Sequence, residues 1–324
     1  MIIAKKVLSL RRIKKAKKMK RLFCVIAAAL VLASCGQSYE EKRRISHKRR
    51  QQLLREDSAA LKVAVMPTLD CLPLFVAKER HMFDTAKVDV RLKMFTAQMD
   101  CDTAIVGGSV EGAITDLVRA ERMIQQGTPL RYITSTNAYW QLYTNRTARI
   151  KTLKQLDDKM VAMTRYSATD LLADLLRDSA KIDAERLFKI QVNDVNIRLK
   201  MLLNNEIDAV LLTEPQATQA RLARHYLLLD SRKISVGQLG VLAFSERALK
   251  VKKREEQLEA LKRGYNKACD SLTSRGVGYY RDIVVKYCGL RATQVDSLPA
   301  TIKFTHIAAP QESDVQYAQK WLKR

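Results

Sequence analysis

The chain is 324 residues long and strongly basic, with 58 Lys and Arg against 34 Asp and Glu and a net charge of +24 at pH 7. No basic run is interleaved with aromatic residues, which argues against a nucleic-acid stacking platform. The apolar run at residues 22–33 falls short of the ~20 residues that a stable membrane-spanning helix requires.

That run is instead the size of a signal-peptide core, with Met19, Lys20 and Arg21 supplying the positive region before it. Residues 1–18 repeat Lys and Arg beyond what a signal needs, and Met19 is a plausible start. The run ends at Ala33, Ser34 and Cys35, where small residues admit a peptidase. Leu32-Ala33-Ser34-Cys35 resembles the bacterial lipobox, which implies that residues 1–34 are removed and that Cys35 becomes a lipidated N-terminus. Residues 1–34 carry ten Lys and Arg and no Asp or Glu, so a net charge of +14 is left from Cys35 onward. A basic lipoprotein is suited to an anionic membrane surface or to acidic envelope polymers. Residues 35–60, including "EEKRRISHKRRQQLLRE", read as a solvated tether that is in part helical.

The body begins with "LKVAVM" (61–66), a strand, then "PTLDC" as a loop and "LPLFVAKERHMF" as a helix. "VDVRLKMF" (88–95) alternates as a half-buried strand does. "TAIVGG" (103–108) is read as a buried strand ending in glycines, followed by a helix from about Val110 to Gln125. "LRYITST" and "YWQLYTN" are two further strands. The order then restarts: "DKMVAMT" strand, "SATDLLADLLRDS" helix, "FKIQV" strand, "DVNIRLKMLLNNE" helix, "DAVLLTE" strand, "PQATQARLAR" helix, "HYLLLD" strand. "LGVLAFS" follows as a strand, and the last third is helical at 255–274, 277–288 and 312–322. This βαβ alternation predicts an α/β protein with parallel sheets flanked by helices. About 265 residues after the tether exceed one core, so two lobes are expected.

Cys71, Cys101, Cys269 and Cys288 remain after processing, an even number that leaves both paired and free thiols open. No Cys-x-x-Cys or His/Cys cluster has metal-ligand spacing, and no metal or cofactor is expected.

Six segments together resemble the type II periplasmic solute-binding proteins of ABC transporters. The likeness is greatest to the branch that binds sulfonates, nitrate, taurine and the pyrimidine precursor of thiamine. They are "LKVAVMPTLDCLPLFVAKERHMF", "DTAIVGGSVEGA", "IKTLKQLDDKMVAM", "LLNNEIDAVLLTEPQ", "GVLAFSERAL" and the helical tail, in the family's order. The chain departs from the family at Leu69, Asp70 and Cys71, where aromatic or small residues are common. The resemblance implies a two-lobed fold, each lobe a mostly parallel sheet flanked by helices, with 61–136 plus 237–324 as one lobe and 137–236 as the other. It implies a small-molecule ligand held between the lobes and an ABC permease with its ATPase as partners. A monomer is expected.

In open α/β sheets ligands sit beyond the carboxyl ends of strands. Thr68 and Asp70 follow the first strand. Gly107, Gly108 and Ser109 follow the expected third, where bare backbone N–H groups can approach a ligand. Arg165, Ser167 and Thr169 follow the first strand of the second lobe, and Glu214 ends another. Ser109 and Ser167 are also good helix caps, and capping alone accounts for them. Tyr139, Trp140 and Tyr166 are candidates for an aromatic wall, with ordinary core packing the alternative for Trp140. Arg165 and the glycines favour an anion, whereas Asp70 and Glu214 favour a cation or an amine-bearing heterocycle. Two other classes stay open: an enzyme of the same fold acting on a pyrimidine or chorismate-like compound, and a sensory lipoprotein without transport.

Overall fold

The computed structural model describes residues 39–83 and 88–324. The signal-like segment and Cys35 lie outside the described residues. The chain divides into two units, 1–59 and 60–324. In the first, one helix is described, α1 (Tyr39–Ala59). Its Ile45, Leu53 and Leu54 are all exposed. The expected tether is therefore a helix through most of its length. Among the described residues no helix is long and apolar enough to cross a membrane.

The second unit opens with β1 (Leu61–Val65), a 3-10 turn (Leu69–Cys71), α2 (Leu72–Glu79), β2 (Val90–Met94), α3 (Gln98–Val106), β3 (Gly112–Asp116), α4 (Leu117–Gln125) and β4 (Leu130–Ser135). The chain then crosses to β5 (Gln141–Thr144), β6 (Lys159–Met163), α5 (Ala168–Ala180), β7 (Leu187–Gln191), α6 (Val195–Leu203), β8 (Ala209–Leu212), α7 (Gln216–Leu222) and β9 (Tyr226–Asp230). It returns through β10 (Gly240–Ser245) to α8 (Glu246–Leu249), α9 (Arg254–Arg275), α10 (Arg281–Cys288), α11 (Ala292–Val295) and α12 (Glu312–Leu322).

Two five-stranded sheets result, ordered β2-β1-β3-β10-β4 and β7-β6-β8-β5-β9. In the first, β2, β1 and β3 are parallel, and β10 runs antiparallel to β3 and β4. The second repeats this pattern, with β5 as the reversed strand beside β8 and β9. Four of five strands in each sheet thus point one way. The reversed strand in each is the one that has just crossed from the other lobe. Central strands are buried on both faces; in β1 all five residues of "LKVAV" are buried, Lys62 among four apolar side chains.

Leu72 and Phe75 of α2 and Leu261 and Tyr265 of α9 lie in one core cluster with strands of the first sheet. Leu199 and Leu202 of α6 cluster with Ala217 and Ala220 of α7 in the second lobe. A third cluster spans both lobes, joining Leu117 and Val118 of α4 to Leu171 and Leu172 of α5 and Val315 of α12. Each such leucine, valine or phenylalanine is worth about 1.5–3 kcal/mol of burial. Cys71, Cys101, Cys269 and Cys288 are free and buried.

One expected element is corrected. "TAIVGG" is not a strand: it is the end of α3 and the turn after it, and the third strand is "GAITD". Cys101, Ala104 and Ile105 are buried at helical spacing, whereas so short an apolar run cannot by itself distinguish strand from helix. Gly108, at φ +74, closes α3 in the left-handed conformation that glycine tolerates. Beyond it the Ser109 N–H donates to Ala104 O at 2.9 Å. The true strand is masked by Gly112, whose missing Cβ would lie 2.7 Å from the Phe244 ring. The next helix accordingly starts at Leu117, capped by Asp116, and not near Val110.

Candidate functional site

The correction at α3 relocates part of the expected site. Residues 107–109 precede β3 and so stand at the amino end of the first sheet, away from the carboxyl ends of β1 and β3. Gly107, Gly108 and Ser109 cap a helix there and do not meet the other candidates.

At the carboxyl ends the lobes are closed on each other. The Leu69 N–H of the first lobe donates to Glu214 O of the second at 2.9 Å, and Val195 N–H donates to Thr96 O at 3.2 Å. Gln216 Nε2 donates to Pro67 O at 3.0 Å, and Arg119 Nη1 donates to Arg165 O at 3.3 Å.

Between these contacts lies a cavity of about 30 Å³, lined from the first lobe by Thr68, Asp70, Gln98 and Thr115 and from the second by Arg198 and Thr213. That is room for about two water molecules. Met66, Ile114, Val195 and Trp140 give it an apolar wall. Trp140 lines this cavity and also belongs to the buried core cluster that spans the lobes, so both sequence readings of it stay open. Among the described residues, three buried atoms around it have no hydrogen-bond partner: Gln98 Oε1, Thr115 Oγ1 and Arg198 Nε. Native interiors satisfy almost every such group; three of the six such atoms among the described residues belong to side chains that line this cavity.

Arg198 is the most telling of the three. It is 3% exposed, and its one hydrogen bond is from Nη1 to Leu211 O at 3.0 Å. Burial pulls its pKa down to about 10, opposed only by the charge of Asp194. It still carries a full positive charge at neutral pH, with no carboxylate paired to it among the described residues. Isolated buried charges are costly unless something pairs them.

Asp70 faces the same cavity from the 3-10 turn. Burial pushes its carboxyl above the ordinary range, opposed by hydrogen bonds from Thr68, its own backbone N–H and Thr136. It too has no cationic partner among the described residues. Thr68 is buried beside it.

The second-lobe loop is arranged differently. Ser167 Oγ accepts from Thr169 N–H at 3.1 Å and donates to Thr164 O at 2.7 Å. Thr169 Oγ1 accepts from Thr164 N–H at 2.9 Å. The N-terminus of α5 already has its anion, because Ala168 N–H is hydrogen-bonded to Asp116 of the first lobe. Asp116 also accepts from Arg119 N–H at 3.0 Å, and burial pushes it up to about 7. The Arg165 side chain is exposed, and only its carbonyl contacts the first lobe. Tyr166, also exposed, stacks with Arg122 at 4.3 Å.

Glu214 is buried but its oxygens are occupied, by Thr218 Oγ1 at 2.6 Å, Thr218 N–H at 3.0 Å and Tyr139 OH at 3.2 Å. It does not line the cavity. A larger hollow of about 450 Å³ lies at the crossings, beside Tyr139 and Arg232. Arg232 there is paired with Asp230 at 2.6 Å and stacked 3.9 Å from Tyr139, so its guanidinium is satisfied internally.

Of the expected residues, Thr68 and Asp70 therefore meet at the cavity, while Ser167, Thr169 and Glu214 are hydrogen-bonded within their own lobes and the Arg165 side chain is exposed. Gln98, Thr115 and Arg198 were not anticipated. For Arg198 a signal existed: Val195, Arg198, Leu199 and Leu202 form the buried stripe of α6, and an arginine on an apolar stripe is an exception to the usual exposure of charge.

Two sheets of this order, joined by crossings and closed over a polar cavity, make a two-lobed periplasmic-binding-protein fold. Solved structures share it. The alkanesulfonate-binding protein SsuA from Xanthomonas axonopodis pv. citri superposes with a TM-score of 0.69 at 17% identity, covering 82% of this chain and 91% of that one. The ligand-binding component of an ABC-type import system from Staphylococcus aureus gives 0.67 at 17% identity, over 82% and 91%. The nitrate-binding protein NrtA from Synechocystis PCC 6803 gives 0.64 at 14%, over 78% and 74%. The chain belongs to the NMT1/THI5-like family, whose profile matches residues 68–274. No curated protein matches the chain.

Proposed function

We propose that this protein is a lipid-anchored solute-binding protein that captures a small polar molecule between its lobes and delivers it to an ABC permease. The observation that carries this reading is the interlobe cavity with its unpartnered Gln98 Oε1, Thr115 Oγ1 and Arg198 Nε. Open hydrogen-bonding capacity in a buried cavity fits a site that a ligand completes. The neighbours described as alkanesulfonate-binding, nitrate-binding and part of an import system support the same use here.

A ligand touching both walls has higher affinity for the closed form, which is what shifts the lobe equilibrium. The crossings at about 134–142 and 233–240 are the proposed hinges, and residues 61–136 with 237–324 and residues 137–236 the bodies that move. Anchoring would be through Cys35, placing the protein on the periplasmic face of a bacterial membrane. Native mass spectrometry of freshly purified protein is expected to show a retained small molecule, lost on partial unfolding. Protein free of any bound compound, and unresponsive to a broad panel of polar metabolites, overturns the reading. Cys35→Ala is expected to abolish lipid labelling.

A further inference from the structure

The chain enters the second unit at Ala60, at the amino end of the first sheet and so at the pole remote from the cavity. Arg254 fixes that entry: its Nη1 donates to Ala60 O at 2.8 Å, and its Nη2 pairs with Glu111 at 3.1 Å. The same residue ties the entry to the turn before α9, because its N–H donates to Val251 O at 3.0 Å. That turn reads Lys250-Val251-Lys252-Lys253, and all four residues are exposed, Val251 by 57%. Just before it α8 exposes Arg247, whose guanidinium lies against Gly108 in the turn after α3. The last residue of α3, Val106, is exposed there too. Glu246 and Glu255, which flank the basic turn in sequence, are both held by Arg131, at 3.6 and 2.7 Å. Glu256 is the other acid in the first turn of α9, one charge against four.

We propose that this pole is a docking surface for anionic phospholipid, by which the first lobe rests on a membrane. The reasons are charge, composition and chain path. Cations near a negatively charged leaflet are attracted additively, over about a Debye length. Long lysine side chains reach headgroup phosphates while Val251 and Val106 offer shallow apolar contact, the mixture that suits a lipid interface. Chain path favours lipid over other acidic partners. Ala60 directly follows α1, on which Lys48, Arg49 and Arg50 are exposed, and that segment leads back to Cys35. The entry point is therefore the part of the body that a tether keeps nearest the bilayer. This rests on the reading of the protein as membrane-anchored, says which end of it meets the membrane, and needs no particular solute.

Docking by this pole leaves the carboxyl ends of β1 and β3, with Thr68, Asp70 and Thr115, on the side away from lipid. The second lobe then stays free to open and admit solute. Attraction of this kind is reversible and screened by salt, so the body can leave the surface while an anchor holds.

The test uses the processed chain as purified from cells, reconstituted with vesicles of phosphatidylcholine alone or with about one third phosphatidylglycerol. A bimane label is placed at Val251→Cys; Cys71, Cys101, Cys269 and Cys288 are buried, and the unsubstituted chain gives the background from Cys35. Phe188→Cys, at an exposed position of β7 in the second lobe, is the control. With phosphatidylglycerol the label at Val251→Cys is expected to shift to the blue. A nitroxide-bearing lipid is expected to quench it at least about threefold more than in phosphatidylcholine. The control should not respond, and the difference should vanish in about 1 M salt, where the Debye length is about 3 Å. Adding Lys250→Gln, Lys252→Gln and Lys253→Gln should cut the difference to about a third or less, with thermal unfolding unchanged because the turn is exposed. Equal quenching in both kinds of vesicle overturns the proposal, as does a difference that survives the three lysine substitutions. A blue shift produced by soluble polyglutamate, without quenching in vesicles, also overturns it and gives the pole to an acidic polymer. Lipid labelling at Cys35 is scored separately. A chain without lipid whose label still responds to phosphatidylglycerol keeps the docking surface and loses the anchor; a lipidated chain without that response loses the docking surface alone.

Discussion

Two polar regions lie where the lobes meet, the loop 164–169 and the small cavity, and they differ in whether their hydrogen bonds are complete. In the loop 164–169 Ser167 and Thr169 bond one another and Thr164, and the start of α5 is met by Asp116. Around the cavity, Gln98, Thr115 and Arg198 each keep an atom without a partner. The loop has the composition of an anion site, with serine, threonine and a helix N-terminus, yet its own protein fills it. The cavity has no such signature but retains the capacity to bind. Readiness for a ligand is a matter of unmet hydrogen bonds, and these depend on the tertiary fold.

The strongest way to break that comparison is to remove the buried cation. Arg198→Met should eliminate the retained small molecule, with affinity falling a hundredfold or more, about 3 kcal/mol, the range for a buried charge that loses its partner. Stability of the empty protein should hold or rise, because replacing an unpaired buried charge by an apolar side chain is commonly neutral or favourable. Native mass spectrometry and urea unfolding check both halves. Retained ligand in Arg198→Met places the anion elsewhere.

The second test concerns the carboxylate that occupies the α5 terminus. Asp116 is buried and pushed up to about 7, with Arg119 opposing the shift. An acid raised in the folded state keeps its proton there longer than in the unfolded chain. Through this group, stability is therefore greatest below about pH 4, falls as pH rises toward 7, and is level above that. The slope is at most about 1.4 kcal/mol per pH unit. Asp116→Asn keeps an acceptor for Arg119 N–H and should be more stable than the parent by up to about 4 kcal/mol at pH 8. The two should match near pH 4. A difference that does not change with pH would show that Asp116 is ionised throughout.

Much of the fold was legible in the sequence because period and punctuation are local. The restart of βαβ order after residue 150, the buried run of β1 and the terminal helix 312–322 all follow from spacing. The third strand was not, because "AITD" carries Gly112 before it for contact with Phe244, while the neighbouring helix shows a strand-like "AIV". That exchange moved a glycine turn to the wrong end of the sheet and three candidates with it. Thr68 and Asp70 were legible as residues just after a first strand. Gln98 and Thr115 were not, since their exposure to a cavity is set by the closing of the other lobe.

Gly108 sharpens the distinction between structural and binding glycines. At φ +74 an alanine is strained, and its Cβ would press on the Arg247 guanidinium at 2.6 Å. That side chain is flexible, so the backbone strain dominates, and Gly108→Ala should cost about 1 kcal/mol of stability. Ligand affinity should be unchanged, because the turn lies away from the cavity. A selective loss of affinity without loss of stability would return this turn to the site.

The smallest expected effect is at Arg165, which with the glycines was the sequence's argument for an anionic ligand. Its side chain is exposed and makes no hydrogen bond among the described residues, while its carbonyl accepts from Arg119 Nη1 at 3.3 Å. Alanine preserves that carbonyl, the Ser167 cap beyond it and the Asp116 contact to Ala168. What is removed is one solvated charge near the cleft, and such charges act mainly on association and its salt dependence. Arg165→Ala should therefore change affinity by no more than about twofold, about 0.4 kcal/mol, with the shift shrinking further in high salt. Arg198→Met measured beside it supplies the contrast: two arginines on the same lobe, one exposed and one buried, with effects differing by more than tenfold. A tenfold or greater loss in Arg165→Ala that persists in high salt would mean that the side chain turns inward when ligand arrives. The loop at the start of α5, and not α6, would then be the anion wall.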